Sequence, residues 1–162
     1  MIFVLDTNVL WKRERLSRLA SAARRSGHEI QIPALVHAER VAQVRRERGA
    51  ASDPAFVGAF LQTHGLQVVP FDQEVAERCA EWLAQRYPSR DDWHEARRKR
   101  CEFRFQVAAT ESGDSCPATV DWYLAASYTA DPFVFVTLDG GAEWNGTEAV
   151  SLDQAIGLAE AA

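Results

Sequence analysis

The chain has 162 residues, 47% of them hydrophobic and 25% charged, which is enough apolar material for a core without disulfides or a structural metal. We therefore predict a single domain over residues 1–162. The formal net charge of −5 excludes a generic nucleic-acid coat protein. Three cysteines without C-x-x-C spacing disfavour a disulfide framework and a zinc site. Since neither a basic leader nor an apolar run of about 18 residues is present, we expect a cytoplasmic protein.

Apolar periodicity predicts strands and helices that alternate along the chain. Strands are expected at residues 2–5, 30–32, 66–71, 133–138 and 148–152. Helices are expected at residues 7–25, 34–48, 53–65, 72–86, 91–108 and 117–129, and again after residue 152. Apolar residues alternate with polar ones over 101–107 as in a strand, but we favour the helix to about residue 108. Buried-type strands separated by helices indicate an α/β fold with a short central parallel sheet and helices on both faces.

Four acidic residues each lie in or next to an apolar element. Asp6 directly follows the first strand, Asp139 directly follows the strand at 133–138, and Glu39 and Asp121 lie within apolar helical segments. Carboxylates are costly to bury unless their charge is compensated, and ligands of parallel sheets bind beyond the carboxyl ends of the strands. The four acids therefore predict one acidic pocket, which would repel itself without a cation such as Mg²⁺ or Mn²⁺.

Such a pocket suits hydrolysis of a phosphodiester. Two divalent ions about 4 Å apart can activate water, neutralise the phosphate and stabilise the departing oxygen. We predict that Asp6, Asp121 and Asp139 hold the metal and that Glu39 completes the catalytic set, directly or through bound water. Thr7 and Asn8 are expected to cap the first helix and orient Asp6. The side chains expected to support the ligands are Thr7, Asn8, Thr137 and Glu143.

Each acid also has a simpler interpretation. Asp6 and Asp121 can be helix caps, Glu39 can be an exposed residue paired with a neighbouring arginine, and Asp139 followed by Gly140 is an ordinary turn. Four such coincidences at compatible strand and helix ends are less probable than one, and their combination favours a functional site.

Basic and aromatic residues are weaker evidence for a nucleic-acid partner than the four acids are for a phosphodiesterase site. Arginine accounts for 16 of the 18 basic residues, and arginine suits bidentate phosphate contacts. The run Arg97, Arg98, Lys99 and Arg100 is the best candidate for an RNA-phosphate contact, although a solvated helix face is the simpler interpretation of any single basic cluster. The five tryptophans are expected to pack in the core rather than to stack on bases.

Several of these segments resemble the PIN domain, in particular the VapC-type toxins of bacterial toxin–antitoxin pairs. They are VLDTNVL at residues 4–10, PATVDWYLAAS at 117–127 and VTLDGGAEW at 136–144, together with the mid-helix Glu39. The resemblance implies a PIN-like fold, a metal-dependent endoribonuclease using Mg²⁺ or Mn²⁺, dimerisation, and inhibition by a cognate VapB-like antitoxin. It matches the family's acidic quartet to Asp6, Glu39, Asp121 and Asp139.

This sequence departs from the family pattern in three places. Pro33-Ala34 stands where the family often has a polar helix-capping residue, a difference that affects only the entry to the second helix. The stretch 87–116 is longer than in compact members, so contacts made there are not transferable. The fourth motif has two interpretations, because Glu143-Trp144 also fits the position where many relatives place an acid followed by an aromatic residue; we keep Asp139 as the fourth acid.

Two other classes of protein are compatible with parts of the pattern. A catalytically silent PIN-like module that binds RNA or protein would retain the fold, but it has little need for four intact acids. Phosphotransferases of the haloacid dehalogenase type also begin with an aspartate after an apolar strand, but they need a second aspartate two residues later, where this chain has Asn8.

Overall fold

The computed structural model describes residues 1–49, 55–105, 119–139 and 149–161. The strands are β1 (Ile2–Leu5), β2 (Glu29–Pro33), β3 (Gln67–Val69), β4 (Phe133–Val136) and β5 (Ala149–Val150). The helices are a 3-10 helix (Thr7–Trp11), α1 (Arg13–Arg25), α2 (Ala34–Arg48), α3 (Ala55–His64), α4 (Gln73–Arg86), α5 (Arg90–Phe105), α6 (Thr119–Tyr128) and α7 (Leu152–Ala161). No helix in these ranges is long and apolar enough to cross a membrane.

The predicted elements are all found where they fall on described residues; one predicted helix is divided, and the strands predicted over 66–71, 133–138 and 148–152 are shorter than predicted. The helix predicted over residues 7–25 is divided at Lys12, whose backbone (φ −91°, ψ 61°) leaves the helical region and whose N–H donates to Val9 O. The strand predicted over residues 66–71 ends at Val69, because Pro70 has no N–H to continue the ladder.

All five strands form one parallel sheet in the order β3-β2-β1-β4-β5. The central strand β1 pairs with β2 on one side and with β4 on the other, Leu5 lying opposite Val136. Phe3, Val4 and Leu5 are fully buried, as expected for a strand covered on both faces. The predicted α/β fold with a central parallel sheet is confirmed.

The connections between strands reverse direction once across the sheet. The chain passes from β1 to β2 to β3 toward one edge, returns through α4, α5 and α6 to β4, and continues to β5 at the other edge. Crossovers between parallel strands are almost always right-handed, which places helices on both faces of the sheet. Here α1 packs against α7 and α3, and α4 packs against α6. The strand order therefore diverges between β1 and β4, and the carboxyl edge at such a switch point forms a crevice suited to a ligand.

An aromatic cluster joins α4, α5 and α6 on one of these faces. Trp122 is buried, with its ring centroid 5.0 Å from that of Tyr87 and 5.2 Å from that of Trp93. Trp11, in contrast, is 41% exposed, and the Arg40 guanidinium lies 3.5 Å from the centroid of its ring. Core packing, the use predicted for the tryptophans, is confirmed for Trp122 and is wrong for Trp11, whereas Trp144 lies outside the described residues.

Candidate metal centre at the switch point

Asp6 lies at the switch point, one residue beyond β1. Its backbone N–H donates to Val136 O at 2.9 Å, which extends the pairing of β1 with β4, and the residue is only 7% exposed. Its Oδ1 accepts from Thr7 N at 2.7 Å, so Asp6 is the N-cap of the 3-10 helix. The prediction that Thr7 and Asn8 cap this helix is wrong, because the carboxylate itself makes the capping bond.

A hydrogen-bond network fixes the second oxygen of Asp6. Its Oδ2 accepts from Asn8 Nδ2 at 2.8 Å and from Thr137 Oγ1 at 2.6 Å. The Thr137 hydroxyl accepts in turn from Asn8 Nδ2 at 3.1 Å and from Asp139 N at 3.0 Å. Asn8 Oδ1 accepts from Leu138 N at 2.9 Å. The ends of β1 and β4 are thereby tied together around one carboxylate.

Thr7 brings a second acid to the site from α2. Its hydroxyl donates to Glu39 Oε2 at 2.5 Å, while Gln43 Nε2 donates to Glu39 Oε1 at 3.2 Å. Glu39 is exposed, but both of its oxygens are held. Sequence reasoning missed Gln43, although its position four residues after Glu39 on one helix face was an available signal.

Asp139 provides a third carboxylate, directly beyond β4. It is half-buried, and its backbone is fixed by the bond to Thr137. Burial raises the pKa of Asp6 above its ordinary value of 3.8, and the negative charges of Asp139 and Glu39 raise it further. The hydrogen bonds from Thr137 and Thr7 oppose this rise but do not cancel it. Asp6 is therefore a carboxylate that gains from a proton or a cation.

These carboxylates fit a hard divalent ion by the chemistry of their oxygen donors, which is what Mg²⁺ and Mn²⁺ prefer. The described hydrogen bonds use three of the four acceptor positions of the Asp6 carboxylate, two on Oδ2 and one on Oδ1. Within the part of the chain that the structure describes, no three His, Cys, Asp or Glu side chains are grouped closely enough to hold a metal alone.

Two residues predicted for the metal centre have side chains outside the part of the chain that the structure describes. Asp121 is the third residue of α6, and its backbone is placed, but its side chain is not among those described. Glu143 falls in the segment 140–148, outside the described residues.

Within the basic run on α5, Arg98 and Lys99 are paired with acids of the same helix. Arg97 is 8% exposed, with its guanidinium 5.3 Å from the ring centroid of Trp93. Arg98 pairs with Glu95 and Glu102, each at 2.7 Å, and Lys99 pairs with Glu95 at 3.3 Å. The side chain of Arg100 lies outside the described residues. An RNA contact at this run stays a prediction.

Comparison with known proteins gives a match to one family. The family model of the PIN domain matches residues 3–96, more than half of the chain, and this stretch includes Asp6 and Glu39. A search of curated proteins returned no match, and a search of solved structures returned none. PIN domains are in general nucleases, hydrolases that act on nucleic acids and typically use divalent metal ions.

Proposed function

The chain belongs to the PIN-domain family, and we propose that it is a metal-dependent endoribonuclease acting as the toxin of a VapBC-like toxin–antitoxin pair. The proposal depends most on the position and burial of Asp6. Asp6 is a buried carboxylate at the switch point, with a pKa raised by burial and by two further acids, Asp139 and Glu39. Burying one carboxylate near two others costs free energy, and a bound cation at this position would offset that cost.

Mg²⁺ or Mn²⁺ would be held by Asp6, Asp139 and Asp121, with Glu39 completing the set. When bound, divalent ions supply an activated water and neutralise charge on the phosphate and on the departing oxygen. The chain's own residues supply orientation. Asn8 and Thr137 fix the Asp6 carboxylate, and Thr7 holds Glu39 beside it. Hydrogen bonds of this kind, made to the ligand side chains rather than to the metal, keep the ligands in position.

RNA as substrate and an antitoxin as partner are proposed from the resemblance of residues 4–10, 117–127 and 136–144 to VapC-type toxins. The carboxylates of Asp6, Glu39 and Asp139 at the switch point form the acid cluster. An antitoxin would neutralise the enzyme by placing a basic side chain or an apolar helix against this acid cluster. We also propose a homodimer, and a cytoplasmic location, where RNA and an antitoxin are both accessible.

The test is cleavage of total cellular RNA by the purified protein, free of antitoxin, with Mg²⁺, Mn²⁺ or EDTA. Asp6→Ala and Asp121→Ala are the site variants, and circular dichroism confirms that each folds. Glu160→Gln is the matched control, because Glu160 is an acid on α7 paired with Arg18 away from the switch point.

We expect metal-dependent cutting by the wild type and by Glu160→Gln, with loss of at least a hundredfold in both site variants. A folded wild type that cuts no RNA in any metal would overturn the proposal in favour of a binding module. Cutting that persists in Asp6→Ala would overturn the assignment of the site.

A further inference from the structure

A cavity of about 270 Å³ lies beside the acid cluster, on the β5 side of the switch point. Its wall includes Thr137 and Asp139 at the end of β4, Ser151 just beyond β5, and the facing residues Arg15 of α1 and Asp153 of α7. Thr137 also donates to Asp6 Oδ2 at 2.6 Å, so the cavity adjoins the candidate metal centre through a shared residue. Since one water takes up about 30 Å³ in the liquid, the cavity has room for a group of phosphate size.

Arg15 presents hydrogen-bond donors to this cavity. Its Nη1 makes a single bond to Asp153 Oδ2 at 3.1 Å, and its side chain is 56% exposed. A guanidinium carries five N–H donors, and among the described residues the Arg15 side chain makes this one hydrogen bond. The geometry leaves most of the fork available to an anion.

The neighbouring ion pair between α1 and α7 differs in how many donors of the guanidinium it engages and in whether its arginine lines the cavity. Arg18 of α1 donates from Nε and Nη2 to the two oxygens of Glu160 on α7, each at 2.9 Å. This bidentate pairing engages the fork with its own carboxylate, and Arg18 does not line the cavity. Arg15 and Arg18 therefore lie on the same helix and each pairs with an acid of α7, but of the two only Arg15 lines the cavity.

We propose that Arg15, held by Asp153, binds a phosphodiester oxygen of the nucleic-acid strand next to the phosphate that lies at the acid cluster. The proposal rests on the function proposed above. A strand that brings one phosphate to Asp6 and Asp139 carries further phosphates on either side, and the cavity beside Asp139 is the adjacent space. Arginine suits this role, because its planar fork matches phosphate oxygens. The contact is to the backbone and carries no sequence preference.

The experiment compares Arg15→Ala with Arg18→Ala. Both variants lose one exposed ion pair with α7, so both are expected to lose similar stability, within about 1 kcal/mol. Binding of a fluorescein-labelled, mixed-sequence single-stranded RNA is measured by anisotropy in EDTA, where no metal-dependent cleavage occurs, from 50 to 200 mM KCl. Cleavage of total RNA in Mn²⁺ is measured in parallel.

For Arg15→Ala we expect binding weakened about tenfold, as for loss of one charge-assisted hydrogen bond, and a salt slope reduced by about 0.7. Arg18→Ala is expected to match the wild type in both. Arg15→Lys should keep the salt slope but lose part of the affinity, because it keeps the charge without the fork.

Equal affinity and salt slope in Arg15→Ala and Arg18→Ala, with a wild type that cuts RNA, would overturn the role of Arg15 and leave the nuclease proposal standing. A wild type that binds RNA through Arg15 yet cuts none in any metal would overturn the nuclease proposal and support the phosphate contact. A wild type that neither binds nor cuts would overturn both.

Discussion

Thr137 is the side chain on which the geometry of the candidate metal centre most depends, and Thr137→Val is the sharpest perturbation of it. The substitution keeps the shape of the side chain and removes the hydroxyl. That buried hydroxyl donates to Asp6 Oδ2 at 2.6 Å and accepts from Asp139 N at 3.0 Å and Asn8 Nδ2 at 3.1 Å. One atom therefore links the ends of β1 and β4.

The expected cost follows from what each partner loses. A hydrogen bond to an ionised group contributes about 1.5–3 kcal/mol, and the bond to the Asp6 carboxylate is of this kind. Asn8 Nδ2 retains Asp6 Oδ2 at 2.8 Å, so its loss is small. The Asp139 N–H loses the hydroxyl but belongs to a half-buried residue, and water can replace part of that bond. We therefore expect the free energy of unfolding to fall by about 2–3 kcal/mol.

Thr129→Val is the matched control for this measurement. The Thr129 hydroxyl is buried without a hydrogen-bond partner among the described residues, so the same chemical change should leave stability within about 0.5 kcal/mol or increase it slightly. Urea unfolding followed by tryptophan fluorescence gives both values. Equal losses in Thr137→Val and Thr129→Val would refute the reasoning, because the hydrogen bonds would then contribute nothing measurable.

Three further predictions concern the same site. Thr7→Val frees Glu39 Oε2, so we expect cleavage to fall about 10–100-fold in a variant that still folds, and unchanged cleavage would contradict this. Folding raises the pKa of the Asp6 carboxyl. The contribution of this group to the stability of the metal-free protein is therefore present below about pH 3.8 and is lost as the pH rises through the raised pKa. The unfolding free energy of Asp6→Asn minus that of the wild type should therefore grow over this window, whereas parallel curves in chemical denaturation would argue against it. Mn²⁺ at 100 times its Kd should stabilise the wild type by about 2.7 kcal/mol and Asp6→Asn by much less, and equal thermal shifts would remove Asp6 from the metal site.

The fold was predictable because its signals are local. A continuous apolar run predicts β1, and Asp72 predicts the start of α4, where its side chain accepts from Val75 N at 3.1 Å. The break at Lys12 was not predictable, because apolar spacing does not distinguish a 3-10 turn from an α-helical turn over five residues. That difference is set by the capping bond of Asp6 and by the Lys12 backbone.

The contacts that shape the candidate site lie beyond the reach of local patterns. Asp6 and Asp139 were found as acids that follow apolar strands, but the bond between Asn8 Oδ1 and Leu138 N joins residues 130 positions apart. The Arg15–Asp153 pair joins residues 138 positions apart, and neither residue stands in an unusual local pattern. Only the strand order places β1 beside β4, and that order depends on packing over the whole sheet.

Asp6 also shows that the structural and the functional interpretation of one residue can both hold. As an N-cap it needs one acceptor position on Oδ1, for Thr7 N, and its Oδ2 takes the two donors that tie β1 to β4. The described bonds thus immobilise the carboxylate and still leave one acceptor position on Oδ1. An aspartate that served only as a cap would gain nothing from Glu39 and Asp139 nearby, since both raise its pKa and weaken the charge that makes a good cap. Replacing both flanking acids with their amides should therefore stabilise the metal-free protein while it lowers metal affinity, and this opposition separates a metal ligand from a helix cap.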